Sequence, residues 1–215
     1  MTSSRPTLLF DLDGTLSDNF EGIARSIRYA LARLGVADPG KTTLRGCVGP
    51  PLRESFARLL PSPDAAAIEA ALGAYRERFR DVGWRENVAY EGVHEALAAL
   101  ARAGARMYVC TTKPEVFATR IVAHFGFDAF VSRVYGADLA GALDDKRALL
   151  AHLLASEGLD ASRSIMIGDR HLDMRAARAN ATRAIGVLWG YGTAEELEGA
   201  ERLLARPAEL VSLAA

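Results

Sequence analysis

The first apolar run of the chain, Thr7-Leu-Leu-Phe10, passes directly into Asp11-Leu-Asp-Gly-Thr15. A short unbroken run of this kind predicts a buried strand that ends at an acidic turn. From Asp18 the pattern changes, with Ile23, Ile27, Leu31 and Leu34 recurring at helical spacing up to Gly35, which stops the helix. Asp18 and Glu21 have the spacing of a capping box for it. Two further helices are predicted over 51–60 and 64–82, set apart by the proline-containing stretches 49–51 and 61–63. No strand pattern stands out between residues 18 and 90.

Beyond residue 90 helical and strand patterns alternate. Helices are predicted over 92–103, 115–124, 145–157 and 171–179, and strands over 106–110, 133–136, 163–167 and 183–188. The segment 193–215 reads as two short helices around a strand-like Arg202-Leu-Leu204. This order predicts an α/β fold, a doubly wound, Rossmann-like parallel sheet interrupted after its first strand by a helical insertion.

A chain of 215 residues has room for such a core plus a modest second lobe. Its 26 basic and 27 acidic residues nearly cancel, which argues against a nucleic-acid or anionic-membrane partner held by bulk charge. Only three of the basic residues are lysines, Lys41, Lys113 and Lys146, so in a chain that otherwise uses arginine each lysine is worth attention. Cys47 and Cys110 are far apart and form no metal-binding pattern, and no apolar run approaches the roughly 20 residues of a membrane span. A soluble, reduced, cytoplasmic protein is expected.

Four short strings carry candidate chemistry. Asp11 and Asp13 lie two positions apart at a strand end, so in extended backbone both carboxylates would point the same way. Such like charges need a cation or a division of roles. Gly14 and Thr15 supply a sharp turn with amides to meet an anion. Val109-Cys-Thr-Thr-Lys-Pro114 sets the hydroxyls of Thr111 and Thr112 at the end of another strand, with Pro114 suited to the first turn of the next helix and Lys113 open to reading as a solvated side chain or a ligand. Asp144-Asp-Lys-Arg147 opens a helix with Lys146 in its first turn. Ile165-Met-Ile-Gly-Asp-Arg-His-Leu-Asp173 is an apolar strand followed by two carboxylates, Asp169 and Asp173, suited to a hard divalent cation. The four histidines show no ligand spacing, and the glycines at 186, 190 and 192 around Trp189 and Tyr191 read as a loop near the site.

The string Asp-Leu-Asp-Gly-Thr-Leu-Ser-Asp, followed in order by Thr111, Lys146 and Gly168-Asp-x-x-x-Asp173, resembles the motifs of the haloacid dehalogenase superfamily. The resemblance implies a phosphatase in which Asp11 attacks phosphorus, Asp13 is general acid and base, Thr111 and Lys146 contact the phosphoryl group, and Mg2+ is held by Asp11, Asp13 (through its main-chain carbonyl), Asp169 and Asp173. It also implies a catalytic core over 1–17 and 91–215 and a small helical cap over 18–90. Gly49-Pro-Pro-Leu-Arg-Glu-Ser-Phe56, Thr112-Lys-Pro114 and Ile167-Gly-Asp-Arg170 are most similar to phosphoglycolate phosphatase-like members. Gly14, Thr112, Arg45 and Arg53 are the expected substrate-binding residues. The expected partner is a small phosphorylated metabolite, with the protein a monomer or homodimer. A 5′-nucleotidase-like phosphatase, a phosphosugar mutase of the β-phosphoglucomutase type, and a catalytically silent or phospho-accepting signalling homologue are the alternatives.

Overall fold

The computed structural model describes residues 6–139 and 143–214. Two compact units are present: one is formed by the chain up to Ser17 and from Ala89 onward, the other by Asp18–Val88.

The first unit is built on six strands: β1 (Thr7–Phe10), β4 (Arg106–Pro114), β5 (Arg133–Ala137), β6 (Ser164–Gly168), β7 (Arg183–Val187) and β8 (Arg202–Leu204). They form one sheet in the order β5-β4-β1-β6-β7-β8, parallel throughout. Leu8 lies between Met107 on one side and Ile165 on the other, which places β1 centrally. Leu8, Leu9 and Phe10 are fully buried, as befits a strand covered on both faces. The helices α5 (Val93–Arg102), α6 (Glu115–His124), α7 (Lys146–Glu157) and α8 (His171–Ala179) follow β3, β4, β5 and β6, where β3 is the two-residue strand Val88–Ala89. Leu9, Tyr108 and Met166 pack with Leu149, Leu150, Leu153 and Met174 in one buried cluster that joins α7 and α8 to the sheet. The strand order turns about β1, so the carboxyl ends of β1, β4 and β6 frame a crevice where an open α/β sheet places its ligands.

The second unit is helical, with α1 (Phe20–Arg33), α2 (Lys41–Arg45), α3 (Leu52–Leu59) and α4 (Ala65–Asp81). Phe56, Tyr75 and Phe79 interlock in its core, with Phe56 edge-on to Tyr75 and Tyr75 stacked on Phe79 at 5.3 Å.

Several expected elements are corrected. Residues 17–18 (β2, Ser17–Asp18) pair with β3 in a two-stranded sheet, too short to leave an alternating pattern. The expected capping box does not form: Asn19 is the cap, the Phe20 amide donates to Asp18 Oδ1 at 3.0 Å, and Glu21 pairs with Arg25 instead. Asp18 thus makes a local side-chain turn one residue early. β4 runs on to Pro114 rather than stopping at 110, so Pro114 precedes α6 instead of lying in its first turn. Residues 194–199 are turns and not a helix, and the tail after β8 is a 3-10 helix, Pro207–Ala214. Among the described residues no helix is long and apolar enough to cross a membrane.

Candidate active site

The ladder between β1 and β6 continues one residue past Phe10, with the Asp11 amide donating to the Ile167 carbonyl at 2.9 Å. There extended backbone ends. The amides of Leu16 and Ser17 both fold back to the Leu12 carbonyl, at 2.9 and 3.1 Å, and Gly14 takes a φ of 92° that suits glycine alone. This turn corrects two expectations. Asp11 and Asp13 do not act as a parallel pair: Asp11 Oδ1 meets Lys146 Nζ at 2.7 Å, whereas Asp13 Oδ2 meets Lys113 Nζ at 2.7 Å. The Gly14 amide is also not offered to an anion, because it donates to the Ser17 carbonyl at 2.8 Å. Gly14 instead permits close approach, since a Cβ there would overlap the Asp169 carboxylate.

Lys146 is the first residue of α7, which Asp145 caps by accepting the Arg147 amide at 2.9 Å. Only 5% exposed, its Nζ lies between Asp11 Oδ1 and Asp173 Oδ1, the latter at 2.5 Å. Asp173 sits in the first turn of α8, where its other oxygen accepts the Arg170 amide at 3.0 Å. Asp169 follows β6 directly. Its Oδ2 accepts the Tyr191 amide at 2.7 Å, while Oδ1 is buried with no hydrogen-bond partner among the described residues. One oxygen from each of Asp11, Asp169 and Asp173 lies within 4.8 Å of the others.

The electrostatics of this cluster are one-sided. Burial pushes Asp169 well above the usual carboxylate range, and the charges of Asp11 and Asp173 add to that push. Burial likewise raises Asp173, to about 6, with Lys146 opposing and Asp11 reinforcing. For Lys146 burial disfavours the charge, but the fields of Asp11 and Asp173 outweigh it and hold the ammonium charged above its ordinary range. Three buried carboxylates lie together and Lys146 pairs with only two of them, so the pocket is short of positive charge. Together with the unpartnered Asp169 oxygen, an all-oxygen donor set short of charge fits a hard divalent cation.

Thr111 is buried inside β4, beside Gly136 of β5, and its Oγ1 accepts the Lys113 amide at 3.3 Å. It is a strand residue and not a helix cap. Lys113, 8% exposed, is a buried partner of Asp13 rather than a solvated side chain, and it was not among the expected site residues. Its signal in the sequence was its rarity and its place two residues after Thr111. The loop after β7 also belongs here: Tyr191 grips Asp169, and the Trp189 indole N–H donates to the Thr15 carbonyl at 3.0 Å. Thr112 is half-buried in β4. Arg45 and Arg53 belong to the helical unit, where Arg53 pairs with Glu69 at 2.5 Å and Arg45 lies 5.9 Å from the centre of the Phe20 ring. Asp13 is not part of the carboxylate cluster of Asp11, Asp169 and Asp173.

Residues 8–187 match the family model described as haloacid dehalogenase-like hydrolase. A 5′-nucleotidase of Pseudomonas aeruginosa is 46% identical over 192 residues, which cover 89% of this chain and 86% of that protein. The tyrosine-protein kinase PtkA of Mycobacterium tuberculosis is 37% identical over 191 residues, 89% of this chain but 65% of the relative. A phosphoglycolate phosphatase of Agrobacterium fabrum is 33% identical, with 86% of this chain and 82% of the relative covered. Among solved structures, a predicted phosphatase from Clostridium acetobutylicum superposes with a TM-score of 0.92 at 34% identity, covering 98% of both chains.

Proposed function

This chain belongs to the haloacid dehalogenase-like hydrolase family and is a phosphoric monoester hydrolase, and from that premise we propose that it cleaves a small phosphorylated metabolite with Asp11 as nucleophile and Mg2+ as cofactor. The observation that carries this reading is the position of Lys146 Nζ between Asp11 and Asp173, two members of a carboxylate cluster whose third, Asp169, keeps one oxygen without a hydrogen-bond partner among the described residues. Asp11, Asp169 and Asp173 would hold the cation, with the Asp13 main-chain carbonyl as a further donor. When bound, magnesium would offset the charge of the phosphoryl group and of the carboxylates around it.

The Asp11 carboxylate attacks phosphorus and forms an aspartyl-phosphate as the bond to the leaving oxygen breaks. Lys146 offsets negative charge as it moves from Asp11 onto the phosphoryl oxygens, and the Thr111 hydroxyl donates to one of them. Asp13 protonates the leaving oxygen, then takes a proton from the water that hydrolyses the intermediate. Its ion pair with Lys113 must part for Asp13 to carry that first proton. In this reading residues 18–90 are the cap that selects the substrate, with Thr112, Arg45 and Arg53 as residues to test for recognition.

Phosphoglycolate and nucleoside 5′-monophosphates are both suited to such a site. The 46% identity to a 5′-nucleotidase favours the nucleotide over phosphoglycolate, since the phosphoglycolate phosphatase of Agrobacterium fabrum is 33% identical. A screen of phosphomonoesters with and without Mg2+, ranked by kcat/KM, tests both parts of the proposal. Nucleoside monophosphates are expected at the top and no turnover in chelator. A metal-independent activity, or release of a rearranged sugar phosphate in place of inorganic phosphate, would overturn it.

A further inference from the structure

The cation proposed above needs Asp169 to present one oxygen and no other, and a carboxylate on a strand end has no intrinsic reason to do so. The surroundings of Asp169 supply the reason. Its Oδ2 is taken by the Tyr191 amide at 2.7 Å, while Oδ1 is left bare in a fully buried setting. A structural carboxylate would ordinarily satisfy both oxygens, because an unpaired buried acceptor is costly.

The segment that makes this grip is held from both ends. Trp189 anchors it to the acidic turn through the 3.0 Å bond from its indole N–H to the Thr15 carbonyl. Beyond Gly192, Arg170 Nε bonds Glu196 Oε2 at 2.9 Å, tying the chain that follows the segment to the residue next to Asp169. Between these anchors the backbone is pressed against Asp169: a Cβ at Gly190 would overlap its side chain and the Gly14 carbonyl, and one at Gly192 would overlap its main-chain oxygen. Neither glycine has a positive φ, so close approach, and not backbone conformation, is what these positions require.

We propose that Trp189–Gly192 is the device that orients Asp169 for the cation, with Trp189 as a positioning residue for the metal site. Trp189 fixes the Tyr191 amide against Oδ2 by tying the segment to Thr15, and Asp169 then has only Oδ1 to offer. The inference rests on the magnesium reading above and goes beyond it by assigning the orientation to one segment.

The test is calorimetric titration of the metal-free protein with Mg2+ in the absence of substrate, for the unaltered chain, Trp189→Phe and Gly190→Ala. Supporting groups behind metal ligands commonly contribute 10- to 100-fold in affinity, so Trp189→Phe is expected to weaken Mg2+ about tenfold and Gly190→Ala at least as much. Thermal unfolding in chelator separates a merely structural role, which would lower stability and leave Mg2+ affinity unchanged; that result would overturn the inference. Equal affinity in all three proteins would overturn it as well, while leaving the metal reading intact. An unaltered protein that binds no Mg2+ would overturn both.

Discussion

Lys146 and Lys113 each hold one aspartate of the Asp11-Leu-Asp13 string, and the two pairs differ in what they expose to a substrate. Lys146 is shared between Asp11 and Asp173, so Asp11 belongs to the carboxylate cluster with Asp169 and Asp173; Lys113 meets Asp13, which is not a member of that cluster. Replacing Asp11 with Asn keeps the shape and removes the nucleophile, so turnover should vanish while the circular-dichroism spectrum stays unchanged. Retained phosphatase activity in that variant would reject the proposed chemistry. Lys113→Met strips the ammonium from a buried carboxylate and should lower unfolding stability by about 3 kcal/mol, with much of it recovered in the Lys113→Met, Asp13→Asn double variant. Chemical denaturation of the parent, Lys113→Met, Asp13→Asn and the double variant measures this, and equal midpoints would contradict it. Asp11, Lys146, Asp169 and Asp173 could be singled out from local strings because each sits where a strand ends or a helix opens. The partnership of Asp13 with Lys113 could not, since it joins positions 100 residues apart in the chain.

At the scale of elements, the strands of the sheet unit were legible because burial on both faces demands unbroken apolar runs, short as they are in β1 and β6, and its helices because apolar positions recur at helical spacing. What escaped was set by contacts, not by pattern. β4 continues past its apolar run through Thr111, Thr112 and Lys113 because β5 lies beside it and Lys113 has a buried partner, so polar residues are tolerated in a strand. In the helical unit the ties between elements are ionic as well as apolar. Glu86 accepts Arg78 Nη1 and Nη2 at 2.7 and 2.9 Å and Arg25 Nη1 at 2.9 Å, joining α4 to α1. The Arg78 hydrogen bonds hold Glu86 below the usual carboxylate range, against the opposing effect of burial, and Arg25 adds to the lowering. A depressed folded value means stability present above the unfolded value, about 4.3, and lost as pH falls through the folded one. Thermal unfolding followed from pH 6 downward should therefore show a steeper acid decline in the parent than in Glu86→Gln. Parallel curves would contradict the assignment.

For the whole molecule, the decisive arrangement is the strand order, which brings residues 11, 111, 146 and 169 from four separate stretches to the carboxyl edge of one sheet. The alternation of helix and strand after residue 90 already implied such an edge; that the loop after β7 reaches Asp169 there depended on the packing of the turn after β1 against that loop. Because the cation would bind the folded chain and relieve three crowded carboxylates, Mg2+ should raise the melting temperature, with a stabilisation of about 2.7 kcal/mol at 100 times its Kd. Asp169→Asn should abolish that response, and an equal shift in the variant would exclude Asp169 as a ligand. The chemistry itself is tested most directly by trapping the covalent intermediate. The enzyme is mixed with a turned-over phosphomonoester and Mg2+, quenched, reduced with borohydride and digested for mass spectrometry. An aspartyl-phosphate at Asp11 is reduced to homoserine, so homoserine at position 11 is the expected result; homoserine at another aspartate, or at none in an enzyme that is turning over, would contradict Asp11 as the nucleophile.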